Sequence, residues 1–344
     1  MRQAVLLGYA NTKRTEYFKQ AAAQAGLPVL FAEWNQLDMW KEKFTQGEWL
    51  LKMDPPLWNS CSLGELNPLT DHYKQKLLEL SSMAKSCKLY FLNDPIAIGE
   101  LLNKRECKKK LEQAGLMVTK SLEMGPSGIH TAEQLFHAMD ASKAHQVFIK
   151  PVNGSGAAGV SAFRWQPKTG RMALYTCALL HQEYGFVNTK RLRRISAREE
   201  VTAYLEHILK LDCVVERWYA KAEYAGYCYD LRAVVLDGTV EFLLGRLSKG
   251  PITNLHLNNH PLEASKLGMD QKAFAEIASL CKDAVNCFPG IRIAGIDILL
   301  EKGSMRPRII EMNAQGDLIY QDIFHENRIY ARQVEMMKEW MRLG

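Results

Sequence analysis

Residues 1–95 alternate short apolar runs with amphipathic segments. Three of the runs have the length and composition of buried strands: 4–9, 28–32 and 88–92. Apolar residues at helical spacing predict helices over 15–25, which Gly26 ends, and over 72–84. Strands that alternate with helices in this order predict a small parallel sheet. The spacing GxGxxG does not follow the first strand, so the dinucleotide-binding fingerprint is absent.

Beyond residue 95 the pattern changes, and strands become more closely spaced. Helical spacing predicts further helices over 96–103, 104–114, 198–209, 271–287 and 328–342. Short apolar or alternating runs predict further strands over 116–122, 147–150, 160–165, 171–175, 213–218, 229–236, 240–245, 293–300 and 308–312. Asp237-Gly238 is a dipeptide typical of a two-residue hairpin, so the two strands beside it are expected to pair.

The composition is that of an ordinary globular protein, with 344 residues, 47% of them hydrophobic and 24% charged. At roughly 100–200 residues per domain, this length allows two or three domains. No apolar stretch reaches the ~18 residues that indicate a membrane-spanning helix. The N-terminus lacks the long apolar region and the cleavage site of a signal peptide. We therefore predict a cytoplasmic protein with no membrane partner.

The net charge of +6 comes from 44 Lys and Arg against 38 Asp and Glu. It suits anionic small molecules or acidic partners, but it is too diffuse to indicate nucleic acid. Basic runs at 108–110 and 190–194 are of the kind that attracts an acidic substrate. We interpret them as solvated faces, above all 108–110, which lies on a predicted helix. The eight cysteines form no C-x-x-C pair, which indicates reduced, mostly buried thiols.

A lysine and a loop of small residues form the first candidate site. Residues 150–160 read KPVNGSGAAGV, and a predicted strand ends at Lys150. Small residues let backbone N–H groups approach phosphate oxygens, and an adjacent lysine neutralises their charge. The loop is not a Walker motif, because GxxxxGK[ST] is absent. By itself the pattern fits a plain β-turn loop equally well.

Two predicted strands near the end of the chain hold the second candidate site. Asp297 is the one acid in a strand of Ile and Leu, where a charge is costly unless it is paired or metal-bound. Glu311 and Asn313 are two residues apart on the next strand and share one face. If the two strands are antiparallel neighbours, Asp297 faces the same site, and the three oxygen ligands suit Mg²⁺ bridging ATP phosphates. The alternative is ordinary alternation on a surface.

The chain resembles the ATP-grasp superfamily over residues 93–320. The likeness lies in the order of its features: the lysine, the glycine loop, an acid before a hinge and the two acidic strands. The chain is most similar to RimK-like and glutathione-synthetase-like carboxylate–amine ligases. The segments that carry this likeness are 214–219, Asn103-Lys104, Asp230-Leu231-Arg232, Gly245-Arg246-Leu247 and Thr253-Asn254-Leu255-His256. Two segments depart from it: Leu257-Asn258-Asn259 replaces a basic residue and glycines, and 314–322 replaces a small-Pro-Gly run. These departures leave the acceptor substrate open.

The resemblance implies an α/β and α+β protein with the ATP-grasp fold, in which two α+β lobes grip ATP. The implied parts are a small parallel α/β domain over 1–95, a central lobe with the glycine loop over 96–195, and a C-terminal lobe with the metal site over 196–344. The implied activity is an ATP-dependent ligase that joins a carboxylate to an amine through an acyl phosphate and releases ADP and phosphate. The alternatives are a peptide- or protein-modifying maturase, and a kinase-like or nucleotide-binding protein on the same fold.

The resemblance also implies which residues bind ATP and a metal, Mg²⁺ or Mn²⁺ in its place. The nucleotide would be bound by Lys104, Lys150, Gly154, Ser155, Gly156, Gly159, Glu216, Trp218, Tyr219 and Glu223. Among these, the two lysines would neutralise phosphates and Glu216 would accept from the adenine amino group. Glu223 would hold the ribose hydroxyls, or it is simply a solvated loop acid. The metal would be held by Asp297, Glu311 and Asn313.

Catalysis, on the same resemblance, would rest on Arg232, Arg246 and Asn254. The arginines would stabilise charge on the transferring phosphoryl group and on the acyl phosphate. Their alternative is a strand-surface ion pair. Asn254 would orient phosphate or a second metal. The implied partners are small-molecule or peptide carboxylates and amines, and self-association into a homo-oligomer stays open.

Overall fold

The computed structural model describes residues 2–57, 62–122, 128–154, 156–181, 185–257, 259–314 and 327–342. These residues form one parallel sheet and two antiparallel sheets with helices packed on them. The mixed α/β and α+β architecture expected from the sequence is therefore confirmed. None of the helices described is both long and apolar enough to cross a membrane.

The first sheet is parallel, as the βαβ pattern predicts. Its strands are β1 (Arg2–Gly8), β2 (Val29–Glu33), β3 (Glu48–Met53) and β4 (Lys88–Phe91), in the spatial order β2-β1-β3-β4. The helices between them are α1 (Lys13–Gln24), α2 (Leu37–Phe44) and α3 (Leu66–Met83). The sequence pattern did not predict α2 and β3. Aromatic packing between these two elements helps to fix both, with Trp49 lying 6.4 Å from Trp40 and 5.5 Å from Phe44 between ring centroids.

The second sheet is antiparallel and is reached through α4 (Pro95–Leu101) and α5 (Lys104–Gln113). Its strands are β5 (Gln146–Pro151), β6 (Ser161–Gln166), β7 (Arg171–His181), β8 (Gly185–Ile195) and β9 (Cys213–Arg217), in the spatial order β8-β7-β6-β5-β9. Helices α6 (Ala132–Ala141) and α7 (Arg198–Ile208) share its apolar core. The sequence pattern missed α6 and β8. The basic run 190–194 lies on β8, an edge strand, where charges discourage pairing with another chain.

The third sheet is antiparallel and carries the acidic strands. Its strands are β10 (Glu223–Tyr224), β11 (Tyr227–Leu236), β12 (Thr239–Ser248), β13 (His260–Glu263), β14 (Ile293–Leu300) and β15 (Pro307–Asn313). The spatial order is β13-β12-β11-β14-β15, with β10 beside β11. Helix α8 (Gln271–Asn286) packs on this sheet, and α9 (Arg328–Arg342) returns to the core of the first sheet. The predicted hairpin at Asp237-Gly238 is confirmed, since it joins β11 to β12.

The predicted strand over 116–122 does not form a regular ladder. Val118 bridges Ile309 of the third sheet, whereas Ser121 bridges Glu216 of the second. The segment is extended, but its backbone hydrogen bonds go to two different sheets, from Thr119 N–H to Ile309 O and from Leu122 N–H to Val215 O. It therefore crosses between the two antiparallel sheets, and this path is a tertiary property that an apolar run does not reveal.

The described cysteines are all free, as the sequence predicts. Cys107, Cys177, Cys213 and Cys281 are buried. Burial raises the pKa of Cys107 and of Cys281 to about 12 in each case. These thiols are therefore neutral packing groups, because only a thiolate acts as a nucleophile or metal ligand.

Candidate functional site

A cleft between the two antiparallel sheets brings together most of the residues singled out from the sequence. It encloses about 780 Å³, its open mouth included. The predicted residues that line it are Lys104, Lys150, Gly154, Gly156, Glu216, Tyr219, Arg246, Asn254, Asp297 and Glu311. Strands β5 and β9 form one wall, and β11, β12, β14 and β15 form the other. A concave site with converging charged groups of this size suits a small-molecule ligand.

Other predicted residues are described but do not line this cleft: Gly159, Trp218, Glu223, Arg232 and Asn313. Gly159 closes the loop whose neighbours Ala158 and Val160 do line it. Arg232 lies behind the wall, against Asp297. Ser155 falls outside the described residues, as do most of 314–322 and the side chain of His256.

One wall of the cleft is built on a buried cluster around Glu216. Its two carboxylate oxygens accept from Lys108 Nζ at 2.7 Å and Lys150 Nζ at 2.9 Å. The hydroxyl of Thr119 also donates to it, at 2.7 Å. Burial by itself would raise the pKa of Glu216, but the two ammonium groups outweigh burial and lower that pKa to about 2. Glu216 is therefore a carboxylate that holds two lysines, and Lys150 is thereby held at the wall of the cleft.

The interpretation of 108–110 as a solvated face is wrong for Lys108. Its side chain is only 6% exposed, because α5 turns this position toward the segment 116–122 and β9. Its ammonium also donates to Thr119 O and Thr119 Oγ1, at 2.9 and 2.6 Å. Lys109 is exposed and Lys110 pairs with Glu100 at 2.6 Å, so the interpretation holds for the rest of the run. The sequence signal that was available is helical spacing: Lys108 lies four residues after Lys104 and shares its face.

Lys104 ties α5 to the glycine loop. Its ammonium donates to Gly154 O at 2.6 Å, and its backbone N–H donates to Val152 O at 3.1 Å. Burial lowers the pKa of Lys104, and the nearby carboxylate of Glu311 opposes that effect. A half-buried ammonium with a carboxylate across the cleft is well placed to exchange that partner for an anionic ligand.

The glycine loop adopts backbone conformations that its small residues make possible. Gly154, Gly156 and Gly159 have φ of 113°, 65° and 68°, in or near the left-handed region that L residues rarely adopt. A Cβ on Gly159 would lie 2.7 Å from Pro151 Cγ, so this position needs glycine for space as well. The loop follows β5 directly, which brings its backbone N–H groups to the end of the strand that carries Lys150.

The facing wall is a row of alternating charges across neighbouring strands. Asp297 on β14 lies opposite Arg232 on β11, and Arg232 Nε donates to Asp297 Oδ1 at 2.5 Å. Arg246 on β12 reaches the other oxygen of Asp297 at 3.0 Å and also binds Asp230 at 2.7 Å. Each of these side chains is buried. Both arginines are therefore in buried ion pairs and not at a strand surface, and the row holds Arg246 at the cleft and Arg232 behind it.

The structure confirms that β14 and β15 are antiparallel neighbours, with Asp297 opposite Glu311. Burial would raise the pKa of Glu311, but Lys104, Lys150, Arg232 and Arg246 lower it overall. Glu311 is thus ionised at the floor of the cleft. A carboxylate oxygen accepts two hydrogen bonds or ligands, so Asp297 keeps lone pairs beyond those used by the arginines.

These two carboxylates fit a magnesium ion that completes its coordination with phosphate oxygens and water. Among the described residues, no three His, Cys, Asp or Glu side chains group into an all-protein metal cage. Mg²⁺ does not need such a cage when a nucleotide shares it. Asn313, two residues along β15, does not line the cleft.

A lysine that the sequence did not single out completes this wall. Lys221 Nζ donates to Thr253 Oγ1 at 2.7 Å and lies 3.4 Å from Asp230 Oδ2. The hydroxyl of Thr253 in turn donates to Asp230. Burial lowers the pKa of Lys221, and Asp230 opposes that effect. Lys221 thus anchors the segment before Asn254 to the sheet. No motif in the sequence marked it, because the loop that carries it has no regular spacing.

The segment after β9 separates the cleft from a second groove. Trp218 packs against Phe148 at 5.3 Å between ring centroids, and it lines that second groove rather than the cleft. Glu223 is exposed and pairs with Lys302 at 2.6 Å. An exposed acid with this partner fits a solvated loop acid and also a ligand for ribose hydroxyls that exchanges Lys302 for them.

A scan against protein-family models and a search of curated proteins give no match. The search of solved structures finds D-alanine–D-alanine ligase from Bacillus anthracis complexed with ATP, at 12% identity and a TM-score of 0.58, covering 98% of this chain and 96% of that one. It finds an ATP-grasp ligase complexed with a minimal precursor, Mg and ADP, at 13% identity and a TM-score of 0.57, covering 96% and 98%. It also finds a macrocyclase from Microcystis aeruginosa MRC bound with a precursor peptide, at 12% identity and a TM-score of 0.60, covering 98% and 100%.

At these identities the likeness shows the fold. The chain has the ATP-grasp fold over 96–98% of its length, which confirms the resemblance at that level.

Proposed function

We propose that this protein is an ATP-dependent carboxylate–amine ligase of the RimK-like kind, which forms an amide or peptide bond. The observation that carries the proposal is one cleft in which Lys104 and Lys150 face Glu311, with Asp297 and Arg246 beside it. Cations on one wall and a carboxylate pair on the other are what a metal-bound triphosphate requires.

The residues of the two walls of the cleft would have different roles. Lys104, Lys150 and the loop 154–159 bind the phosphates, exchanging their present carboxylate and carbonyl partners for phosphate oxygens. Glu311 and Asp297 hold Mg²⁺, which supplies Lewis-acid stabilisation of phosphate charge when bound. Arg246, held by Asp230 and Asp297, stabilises the transferring group, and Arg232 positions Asp297.

The reaction has two steps. The carboxylate oxygen attacks the γ-phosphorus of ATP, so that the acyl phosphate forms and ADP leaves. The amine nitrogen then attacks the acyl carbon, the bond from that carbon to the phosphate oxygen breaks, and phosphate and the amine's proton are released. No covalent bond to the protein is needed, which agrees with the neutral buried thiols.

The nucleotide base and ribose would bind to the segment after β9. The backbone near Tyr219 reads the ring edge, Trp218 supports it from the other side, and Glu223 holds the ribose. Oε2 of Glu216 accepts from Lys150 and Thr119 and Oε1 accepts from Lys108, so the adenine amino group would use the remaining lone pair of Oε1. Asn254, tied down by Lys221 through Thr253, orients phosphate or a second metal.

Modification of a peptide or protein is the second candidate. One structural neighbour is a macrocyclase bound with a precursor peptide, and another is bound with a minimal precursor. The second groove, which Trp218 lines, encloses about 1490 Å³ with its open mouth included and favours this candidate, because a peptide substrate needs such room.

Coupled release of ADP tests the proposal. The purified protein with ATP and Mg²⁺ is offered pools of amino acids and peptides, and ADP and product masses are measured. A ligase releases ADP only when an acid and an amine are both present. ADP release with one acceptor alone would identify a kinase, and no rise in melting temperature with saturating ATP and Mg²⁺ would contradict nucleotide binding altogether.

Glu311→Gln tests the metal site. The variant keeps its shape but loses a negative charge that faces the metal, so we expect a folded protein that loses most turnover. Its remaining activity should need more Mg²⁺ than the wild type. The control is Glu263→Gln on β13, which lies on the same sheet outside the cleft. A Glu311→Gln enzyme with lowered stability and the wild-type Mg²⁺ response would show a purely structural acid.

A further inference from the structure

A second groove, larger in volume than the cleft, lies on the other side of the segment after β9. It encloses about 1490 Å³, its open mouth included. Six cationic residues line it, and we call it the basic groove: Lys143, Arg164, Arg217, Lys221, Lys249 and Lys302. Arg217, Lys221 and Pro251 line both the basic groove and the cleft, so the two spaces adjoin at these residues.

Within the described residues, two of the six cations of the basic groove are paired with carboxylates, Lys302 with Glu223 and Lys221 with Asp230, and the other four are not. Glu223 is the one carboxylate that lines it there, and Lys302 holds it at 2.6 Å. Arg164 lies over the indole of Trp218 at 4.2 Å, and Arg217 donates to Ser142 O at 2.9 Å. Both guanidinium groups are therefore positioned by neutral partners and keep their full charge toward the groove.

The basic groove continues onto the edge of the second sheet. Tyr175 on β7 lines the groove, and it lies opposite Arg194 on β8. Directly opposed residues of antiparallel strands project from the same face. Exposed Arg194 thus extends the positive surface by one strand.

We propose that the basic groove binds an acidic peptide segment and leads its reacting group into the cleft. This rests on the proposed function, which requires a carboxylate to reach the γ-phosphate. A peptide rich in Asp and Glu matches a groove that several cations from separate elements line. The shared residues Arg217 and Lys221 mark the point where the bound segment would enter the cleft.

A nucleic acid is the competing polyanion, and the structure favours the peptide over it. Single strands bind through bases stacked on free aromatic faces. The indole of Trp218 is covered by Arg164 and packed against Phe148, so it does not offer such a face. A nucleic acid also offers no carboxylate to the cleft.

Fluorescence anisotropy with labelled peptides tests the assignment at low salt. The probes are hexaglutamate, hexaglutamine and a thymidine hexanucleotide. We expect the wild type to bind hexaglutamate about tenfold or more tightly than hexaglutamine, since several charges act together. The triple variant Lys143→Glu, Arg164→Glu, Lys249→Glu should lose this preference. The matched control reverses three exposed lysines outside both spaces: Lys85, Lys272 and Lys282.

The outcomes separate the two proposals. Equal binding of hexaglutamate and hexaglutamine, or equal loss in both triple variants, overturns the groove assignment. If the hexanucleotide binds more tightly than hexaglutamate, the ligand of the groove is a nucleic acid and not an acidic peptide. If the first triple variant does not fold, Lys143→Glu with Lys249→Glu carries the test, because both lysines are exposed. Failure of ATP and Mg²⁺ to raise the melting temperature of the wild type overturns the proposed function instead, whatever the peptide result.

Discussion

At the scale of single residues, the decisive feature is a carboxylate that organises lysines from other elements. Glu216 on β9 holds Lys150 from β5 and Lys108 from α5, and all three side chains are buried. Buried charges are tolerated only when they are paired and hydrogen-bonded. The cluster therefore fixes the ammonium of Lys150 before any ligand arrives.

Glu216→Gln should destabilise the fold by about 3–5 kcal/mol at neutral pH, because two buried ammonium groups lose their counter-charge. Urea unfolding measures the change. Glu106→Gln is the control, since this exposed acid lies on the same helix as Lys108 and should change stability by no more than about 0.5 kcal/mol. Equal effects in the two variants would show that the cluster contributes little.

From the lowered pKa of Glu216 we predict that the protein loses stability at acid pH. The pKa of Glu216 is about 2 in the folded protein and 4.5 ordinarily. A lowered pKa contributes stability that is complete above the ordinary value and is lost as pH falls through the folded one. The wild type should therefore lose stability faster than Glu216→Gln between about pH 4.5 and about pH 2. Parallel melting-temperature curves over this range would contradict the pairing.

At the scale of elements, the loop between β5 and β6 depends on backbone geometry more than on side chains. Ala157, with φ of 65°, joins Gly154, Gly156 and Gly159 in the left-handed region, where a residue with a Cβ has a higher energy. Lys104 stabilises the loop through the carbonyl of Gly154. The loop is thus positioned by α5, from the same end of the helix that faces the cleft.

Gly159→Ala should destabilise the protein by about 1–3 kcal/mol, because the new methyl group meets Pro151 and the φ of 68° disfavours alanine. The rise in melting temperature with ATP and Mg²⁺ should shrink as well. Gly99→Ala is the matched control: it lies in α4 with open space around it and should gain about 0.5–1 kcal/mol. If the Gly159→Ala protein is as stable as the wild type, the loop does not need glycine at this position.

At the scale of the whole molecule, one buried amide joins the first sheet to the third. Asn93, just after β4, donates to Ile293 O at 2.8 Å and to Ala314 O. It accepts from the backbone N–H groups of Arg292 and Ile293, at 2.9 and 2.8 Å. Helix α9 adds a second connection, since Asn327 just before it donates to Tyr17 O on α1 at 2.8 Å. The first sheet is thereby held against the strand that carries Asp297.

Asn93→Asp should cost about 2–4 kcal/mol, because a carboxylate cannot donate and two buried carbonyls would face a negative charge. Turnover should fall with stability, since the position of β14 depends on this contact. Asn35→Asp, at an exposed position, is the control and should change stability by no more than about 0.5 kcal/mol. Unfolding in urea measures the stability, and the rate of ADP release measures the turnover. A stable, active Asn93→Asp protein would show that the position of β14 does not depend on Asn93.

Helices and strands with strong periodicity could be predicted from the amino-acid pattern, and so could side chains that lie close together on one element. Helix α5, strand β14 and the hairpin at Asp237-Gly238 follow from patterns within one element. Glu311 and Asn313 share a strand by alternation, and Lys150 precedes its loop by connectivity. Such features are visible because local backbone geometry fixes them.

Which side chains meet depends on the tertiary fold. Helical spacing places Lys108 on the face of Lys104, but only the packing of α5 shows that Lys108 is buried against Glu216. Lys221 has no motif, and the basic groove is assembled from separate strands and loops. Periodicity reports that a face is buried, but not what covers it. The partner of a buried charge is set by packing between distant segments, where desolvation and charge pairing decide the arrangement.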